Sequence, residues 1–161
     1  QHAARALTRG FKSRHGVSSV CTESPRRSST EPRWPAPTPE VVGIDISGRH
    51  EEDDAYRMVA AAVHATVDST RIRSVHGIGL ATASVEPTLE ATVRLTAAAV
   101  ADLPTPPECP VVAERGEFYE EPATRVAVSF PTEFKYVESI GERETVQAAH
   151  HAAYAARGLL L

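Results

Sequence analysis

The sequence predicts an α/β protein in which a single mixed β-sheet carries its helices on one face. Two observations lead to this fold class. Apolar residues recur at every second position in some segments and at every third or fourth position in others, which distinguishes strands from amphipathic helices. These segments follow one another in the order β-α-β-α-β-β between residues 41 and 131. With right-handed crossovers, that order forms one sheet with both helices on the same side.

The first two predicted elements are a strand at residues 41–46 and a helix at residues 51–66. In the second segment, apolar or small residues occupy positions 55, 58, 59, 62, 63 and 66, which lie along one side of a helix. Four consecutive acidic residues fill its first turn, where the helix dipole favours negative charge. Adjacent helical positions point in different directions, so we expect these acids to be solvated and not to bind a metal ion.

The next elements are a strand, a glycine-containing turn, a second helix and a hairpin. Residues 70–75 form the predicted strand and His76–Leu80 the turn, and the helix then runs to about residue 103 with Pro87 in its first turn. A proline-rich loop ends this helix. The alternating segments 111–118 and 124–130 predict a β-hairpin.

An extra helix is predicted at the carboxyl terminus, outside this unit. Ser139 and Glu142 have the spacing of a capping box, and helical periodicity continues until Gly158. His150 and His151 are adjacent, so they cannot bind one metal ion from a single helical face, and we expect a solvated or interface role. The predicted limits are 41–131 for the α/β domain and 132–161 for a C-terminal helical extension.

Residues 1–40 form the remaining predicted region, a basic extended arm. Five prolines between positions 25 and 39 favour an extended linker. Trp34, the only tryptophan, lies in this linker, and we expect it to dock on its own domain or on a partner. The first 22 residues contain four basic residues and no acidic one, a composition typical of a mitochondrial or plastid import segment. The predicted location is therefore the mitochondrial matrix.

Charge is distributed unevenly along the chain. Residues 1–40 carry a net charge of +4, whereas the remainder contains ten basic and eighteen acidic residues and carries a net charge of −8. This pattern predicts an arm that contacts RNA or an acidic partner and a body that lies among other proteins. The residues expected to contact RNA or a partner are Arg5, Arg9, Lys12, Arg14, Arg26, Arg27, Arg33, Trp34, Arg71, Arg73 and His76.

No motif in the sequence indicates catalysis, a cofactor or a metal ion. Neither a Gly-x-Ser-x-Gly nor a His-Glu-x-x-His pattern occurs. Cys21 and Cys109 lack the CxxC or histidine spacing of a zinc site and do not form a disulfide framework. No segment has the length and apolar composition of a membrane span. The sequence therefore favours a protein that is not an enzyme.

The segment Ile72–Ala83 reads Ile-Arg-Ser-Val-His-Gly-Ile-Gly-Leu-Ala-Thr-Ala and resembles the Alba superfamily. It is most similar to the branch of stage V sporulation protein S, in which the equivalent segment reads roughly Ile-x-Ala-Ile-Gly-Ala-Gly-Ala-Leu-Asn-Gln-Ala. The resemblance covers about residues 41–131 and implies the Alba fold, nucleic-acid binding and assembly into a dimer or heterodimer. The predicted hairpin tip is acidic, unlike that of the family, and only Arg71, Arg73 and His76 keep a basic character.

Together these features predict an accessory structural subunit of a large mitochondrial assembly, with the mitochondrial ribosome favoured. Its partners would be other subunits of the complex, and its arm would contact ribosomal RNA. Two alternatives stay open. One is an Alba-like RNA-binding protein of an organelle, and the other is an accessory subunit of a respiratory complex or ATP synthase.

Overall fold

A computed structural model describes residues 38–105 and 107–160 of the chain. The strands are β1 (Glu40–Ser47), β2 (Glu51–Glu52), β3 (Ala55–Tyr56), β4 (Met58–Val67), β5 (Ile72–Ala83), β6 (Val111–Ala113) and β7 (Phe134–Tyr136). The helices are α1 (Leu89–Ala101), α2 (Ala123–Ala127) and α3 (Ile140–Leu160), and a 3₁₀-helical turn spans Arg115–Phe118.

Five of these strands form one mixed sheet in the order β5-β4-β1-β6-β7. β1, β4 and β5 are antiparallel neighbours, whereas β6 and β7 add to the other side of β1 as parallel strands. The small β2-β3 hairpin lies in the connection from β1 to β4. The prediction of an α/β protein with a single mixed main sheet is therefore confirmed.

The helices cover both faces of the main sheet. The central strand β1 directs Val42, Ile44 and Ile46 into a core shared with α1 and α2, and it directs Val41 into a second core with Val146 of α3. This alternation follows from the two-residue period of a strand. α1 and α3 lie on opposite faces. The predicted pair of helices on one face does not form, because most of the segment predicted as the first helix is strand.

The helix predicted at residues 51–66 is replaced by the β2-β3 hairpin and strand β4. β4 lies between β1 and β5, and nearly all of its residues are buried. A strand that is buried on both faces has no alternating polar residues, and its run of alanine and valine also fits the apolar stripe of a helix. Periodicity alone could not separate these two structures.

The turn and helix predicted after residue 75 begin later than expected. β5 continues through the glycines to Ala83, and α1 starts at Leu89. A Cβ atom added at Gly79 would overlap the carbonyl oxygen of Ala99 in α1, and one added at Gly77 would lie 2.8 Å from the ring of Pro104. These two glycines therefore allow α1 and Pro104 to pack closely against β5, and they do not form a turn.

The hairpin predicted from residues 111–118 and 124–130 does not form. Only Val111–Ala113 is extended, and the residues that follow adopt the 3₁₀-helical turn and α2. The apparent alternation arises because Phe118 and Val126 enter the core beneath α1 from these short helical segments. β6 pairs instead with β7, so the element order that the Alba resemblance implied is not the order found.

The predicted C-terminal helix is confirmed as α3, although it continues past the predicted end at Gly158 to Leu160. The Ser139 hydroxyl accepts a hydrogen bond from the Glu142 amide at 3.2 Å, and the Glu142 carboxylate accepts one from the Ser139 amide at 3.1 Å. β7 and α3 belong to the same sheet and cores as the preceding elements, although the prediction placed them in a separate extension. No helix within the described ranges is long and apolar enough to cross a membrane.

Gly43 lies where α3 crosses β1, and we expect Gly43→Ala to be destabilising. An added Cβ would lie 2.5 Å from the carbonyl carbon of Thr145 and 2.7 Å from the amide nitrogen of Val146. Both are backbone atoms, so the helix must shift, at a cost of about 1–3 kcal/mol in the free energy of unfolding. Chemical denaturation measures this loss. Gly116→Ala, where the added atom meets nothing within 4 Å, is the control, and equal stability of the two variants would contradict the prediction.

Asp68 closes the turn from β4 to β5 and predicts an acid-dependent stability. Its carboxylate accepts hydrogen bonds from the amides of Thr70 and Arg71 at 2.8 and 2.9 Å, and these bonds lower its pKa to about 2. Because the folded pKa lies below the ordinary value of 3.8, the stabilisation is complete above that value and is lost as the pH falls through the folded pKa. We therefore expect Asp68→Asn to lower the melting temperature at pH 7, with the difference from the native protein shrinking in acid. A difference that does not depend on pH would contradict this.

Candidate functional site

Two carboxylates lie at the carboxyl ends of the parallel strands β1 and β6. The register pairs Gly43 with Val112, and continuing it by two residues places Asp45 beside Glu114 on the face that α3 covers. Residues at equivalent positions of neighbouring strands point to the same face. In α/β sheets, the crevice outside the carboxyl ends of the strands is where ligands bind. This edge is therefore the candidate site.

Glu117, in the 3₁₀-helical turn after β6, adds a third carboxylate. Its side chain is only 10% exposed, and it lies close enough to Asp45 for the two charges to interact. Burial and the charge of Asp45 raise the pKa of Glu117 to about 7, and burial also raises the pKa of Asp45. Two carboxyl groups in contact cannot both ionise without compensation, so the pair holds a proton or attracts positive charge.

Helix α3 supplies basic groups to the same edge. His150 Nδ1 lies 3.0 Å from Asp45 Oδ2, and Arg143 Nε lies 3.2 Å from Glu114 Oε1. Seven residues, or about two helical turns, separate His150 from Arg143, so the two side chains share one side of the helix. The side chain of His150 is 53% exposed and that of Arg143 is 61% exposed, which leaves both able to contact a ligand.

Arg49 approaches the site from the loop that follows β1. Gly48 adopts a φ of 87°, and a Cβ there would overlap the carbonyl oxygen of Arg57, so this turn requires glycine. The Arg49 guanidinium forms an ion pair with Glu117. Its Nε is buried and has no hydrogen-bond partner among the described residues. Arg49 thus compensates part of the negative charge at this edge.

We refer to Asp45, Glu114, Glu117 and His150 as the carboxylate site. Carboxylate oxygens are the preferred protein ligands of Mg²⁺, and an imidazole can join carboxylates around metals such as Mn²⁺. Of the four residues, Asp45 is the one that contacts both Glu117 and His150. The arrangement is therefore able to hold a divalent cation close to exposed basic side chains.

The residues predicted to contact RNA or a partner do not join this site. Those of the arm lie outside the described residues. Arg71 and Arg73 are exposed at the β4-β5 turn, and His76 follows them on β5. The strand register places that turn at the opposite end of β1 from Asp45. The three described residues and the carboxylate site are thus separate features.

None of the four residues of the carboxylate site was predicted from the sequence to be a functional residue. Asp45 could have been recognised as a candidate functional residue, because it is the one charged residue within the apolar run at 41–46. A charge in such a strand needs a compensating partner. Glu114 and Glu117 were predicted in a hairpin, and His150 was expected to be solvated or to lie at an interface. Their proximity depends on the parallel pairing of β6 with β1 and on the docking of α3.

The fold and the site define an α/β domain with several carboxylates where the parallel strands β1 and β6 of its mixed sheet end. Residues 42–161 match a family described as an uncharacterized protein conserved in archaea (DUF2209), and the chain belongs to this family. A curated relative, the uncharacterized protein MJ0095 of Methanocaldococcus jannaschii, is 28% identical over 120 residues, which cover 74% of this chain and 95% of the relative. The carboxylate site lies within the matched range.

Membership of an archaeal family overturns the predicted location and role. Archaea have no mitochondria, so the predictions of a mitochondrial matrix location and of a mitochondrial ribosomal subunit are wrong. The alternatives that placed the chain in an organelle are wrong for the same reason. An acid-poor segment with several arginines is a composition that import signals share with other sequences, and it lies before the matched residues.

Proposed function

We propose that this protein is a divalent-cation-dependent hydrolase of phosphate esters. The proposal departs from the expectation that the chain is not an enzyme. The observation that carries it is the contact of Asp45, at the end of β1, with His150 of α3, together with Glu114 directly after β6, the parallel strand next to β1. Mg²⁺ is commonly bound by one or two carboxylates together with water and substrate phosphates. Asp45 and Glu114 supply that number of ligands.

The charges around the carboxylate site support a phosphate as the substrate group. Asp45 and Glu117 lie close together, and Glu114 follows β6 at the same edge of the sheet; Arg49 pairs with Glu117 and Arg143 with Glu114, which adds two positive charges. A divalent cation would make the site positive overall, and bound cations are often the largest local charges in a site. A phosphate anion could then bind where the carboxylates alone would repel it.

The protein groups around the site suit this chemistry. A bound divalent cation supplies Lewis-acid activation of a phosphoryl group and of water. Arg143 is exposed and can exchange its contact with Glu114 for a phosphate oxygen. Asp45 holds His150 through Nδ1 and leaves Nε2 to take a proton from the attacking water or to donate one to the departing oxygen.

Hydrolysis of phosphate esters by the full chain tests the proposal. With Mg²⁺ or Mn²⁺, and not with EDTA, the protein should cleave at least one of three substrates: a single-stranded oligonucleotide, a nitrophenyl phosphodiester and a nitrophenyl phosphomonoester. The pattern among the three identifies the class of ester.

Glu114→Gln and Glu144→Gln form the matched pair of variants. We expect the loss of the Glu114 carboxylate to reduce the rate at least about a hundredfold, since even groups that only support a metal ligand are worth 10–100-fold. Glu144 is an exposed acid of α3, next to Arg143 in sequence, and its variant should keep the native rate. Absence of cation-dependent cleavage of all three substrates would contradict the proposal. So would equal rates for the two variants.

A further inference from the structure

A second group of metal-binding side chains lies at the other end of β1, on the face that α1 covers. Glu40 of β1, His64 of β4 and Cys109 of the loop before β6 bring their ligand atoms within 4.8 Å of one another. His76 of β5 lies beside them, with its Nε2 4.0 Å from Glu40 Oε1 and its ring centre 5.0 Å from that of His64. Three segments distant in sequence therefore bring their ligand atoms together, and a fourth places His76 next to them.

The chemistry of these donors is that of a zinc site. One thiol, two imidazoles and one carboxylate are the ligand types that Zn²⁺ takes, commonly four at a time in a tetrahedron. Bond lengths of about 2.0–2.3 Å place tetrahedral ligand atoms roughly 3.3–3.8 Å apart. The His64 Nε2 to Glu40 Oε2 distance of 3.0 Å and the limit of 4.8 Å for the three-residue group lie on either side of that range. Small side-chain adjustments would bring these three ligand atoms into that range, and His76 would join them by exchanging its contact with Thr66 Oγ1, at 2.6 Å, for the metal ion.

We propose that Glu40, His64, His76 and Cys109 bind a zinc ion. The His64 side chain is only 12% exposed, so its ring is already held in place by the sheet. Cys109 lies against the core beneath α1. With four protein ligands, the ion has a structural role and joins β1, β4, β5 and the loop before β6. This site is distinct from the carboxylate site and does not rest on the function proposed for it.

The sequence rule that excluded zinc does not apply to this arrangement. The rule searches for ligands a few residues apart, as in CxxC, whereas these ligands reach one another through strand pairing. β4 places His64 next to Val42 of β1 and next to Gly77 of β5. Neighbouring strands thus bring His64, Glu40 and His76 together without any local motif.

Titration of the full chain with Co²⁺ tests the zinc site directly. Co²⁺ replaces zinc in tetrahedral sites, and a thiolate ligand adds a charge-transfer band in the near ultraviolet that oxygen and nitrogen ligands do not give. We expect one equivalent of Co²⁺ to produce this band and one equivalent of Zn²⁺ to abolish it. Cys109→Ser should lose the band, and His64→Gln should weaken Zn²⁺ binding at least about a hundredfold. Cys21→Ser and His151→Gln are the matched controls and should behave as the native protein.

Two further measurements keep the test independent of folding and of the carboxylate site. The Glu40 side chain is 51% exposed, so Glu40→Gln should keep the native melting temperature in EDTA while binding Zn²⁺ more weakly. Asp45→Asn should bind Zn²⁺ as the native protein does. Absence of the thiolate band, or native Zn²⁺ affinity in Cys109→Ser, would overturn the proposal and leave only an ion pair between Glu40 and His64.

Discussion

Asp45→Asn is expected to abolish cation binding at the carboxylate site and, with it, the proposed hydrolysis. Asp45 lies close to Glu117 of the 3₁₀-helical turn, and its Oδ2 lies 3.0 Å from His150 Nδ1 of α3. The amide keeps the size of the side chain and removes the negative charge that a divalent cation needs. We expect the affinity for Mn²⁺ to fall at least about a hundredfold.

We expect Asp45→Asn to lower the affinity for Mn²⁺ without lowering the thermal stability of the cation-free protein. Burial raises the pKa of Asp45, which means that its charged form is disfavoured in the folded, cation-free protein. Asp45→Asn should therefore be at least as stable as the native chain in EDTA, a trade-off seen where strained sites serve function. This result would show that the lost affinity does not come from unfolding.

Calorimetric titration with Mn²⁺ and thermal unfolding in EDTA measure the two effects. Glu144→Gln again provides the control, because it removes one carboxylate from an exposed position of α3. Native Mn²⁺ affinity in Asp45→Asn would contradict both the location of the cation site and the proposed function. A variant that loses affinity and also melts much earlier would point instead to a structural role for Asp45.

The elements that could be predicted from the sequence are those that local chemistry determines. The capping box at Ser139 and Glu142 lies within four residues, and its hydrogen bonds form as the spacing indicates. The strand at 41–46 and the fold class, an α/β protein with one mixed sheet, could likewise be predicted from the pattern of apolar residues. β4 was not, because its burial on both faces depends on α1 and α3, which cover the two faces of the sheet and are distant from β4 in sequence.

The candidate site could not be predicted because no part of it is local. Asp45 and Glu114 are 69 residues apart in sequence, and they become neighbours only through the parallel pairing of β1 with β6. β6 has only three residues, as does its other neighbour β7, and strands this short cannot be recognised from periodicity. A tertiary contact with α3 then determines the environment of His150, which sequence alone could not distinguish from a solvated histidine.

Phe118→Ala is expected to be strongly destabilising, with a loss of about 3–5 kcal/mol in the free energy of unfolding. Phe118 has no exposed surface, and its ring centre lies 5.6 Å from that of Phe134, which in turn stacks on Phe130 at 5.4 Å. Alanine would leave a cavity beneath α1 and remove the ring from this aromatic cluster. Urea denaturation measures the effect. Val128→Ala, at a side chain that is 84% exposed, should change stability by less than about 0.5 kcal/mol.

The ring of Phe118 also determines where the preceding carboxylate lies. Glu117 and Phe118 are consecutive in the 3₁₀-helical turn, yet Glu117 contacts Asp45 on the α3 face while Phe118 enters the core on the α1 face. Anchoring the ring therefore fixes Glu117 at the carboxylate site. Phe118→Leu keeps much of the apolar volume, so we expect a smaller loss of stability than for alanine and a loss of Mn²⁺ affinity of about tenfold. Native Mn²⁺ affinity in this variant would show that Glu117 is positioned by its ion pair with Arg49 and not by the core.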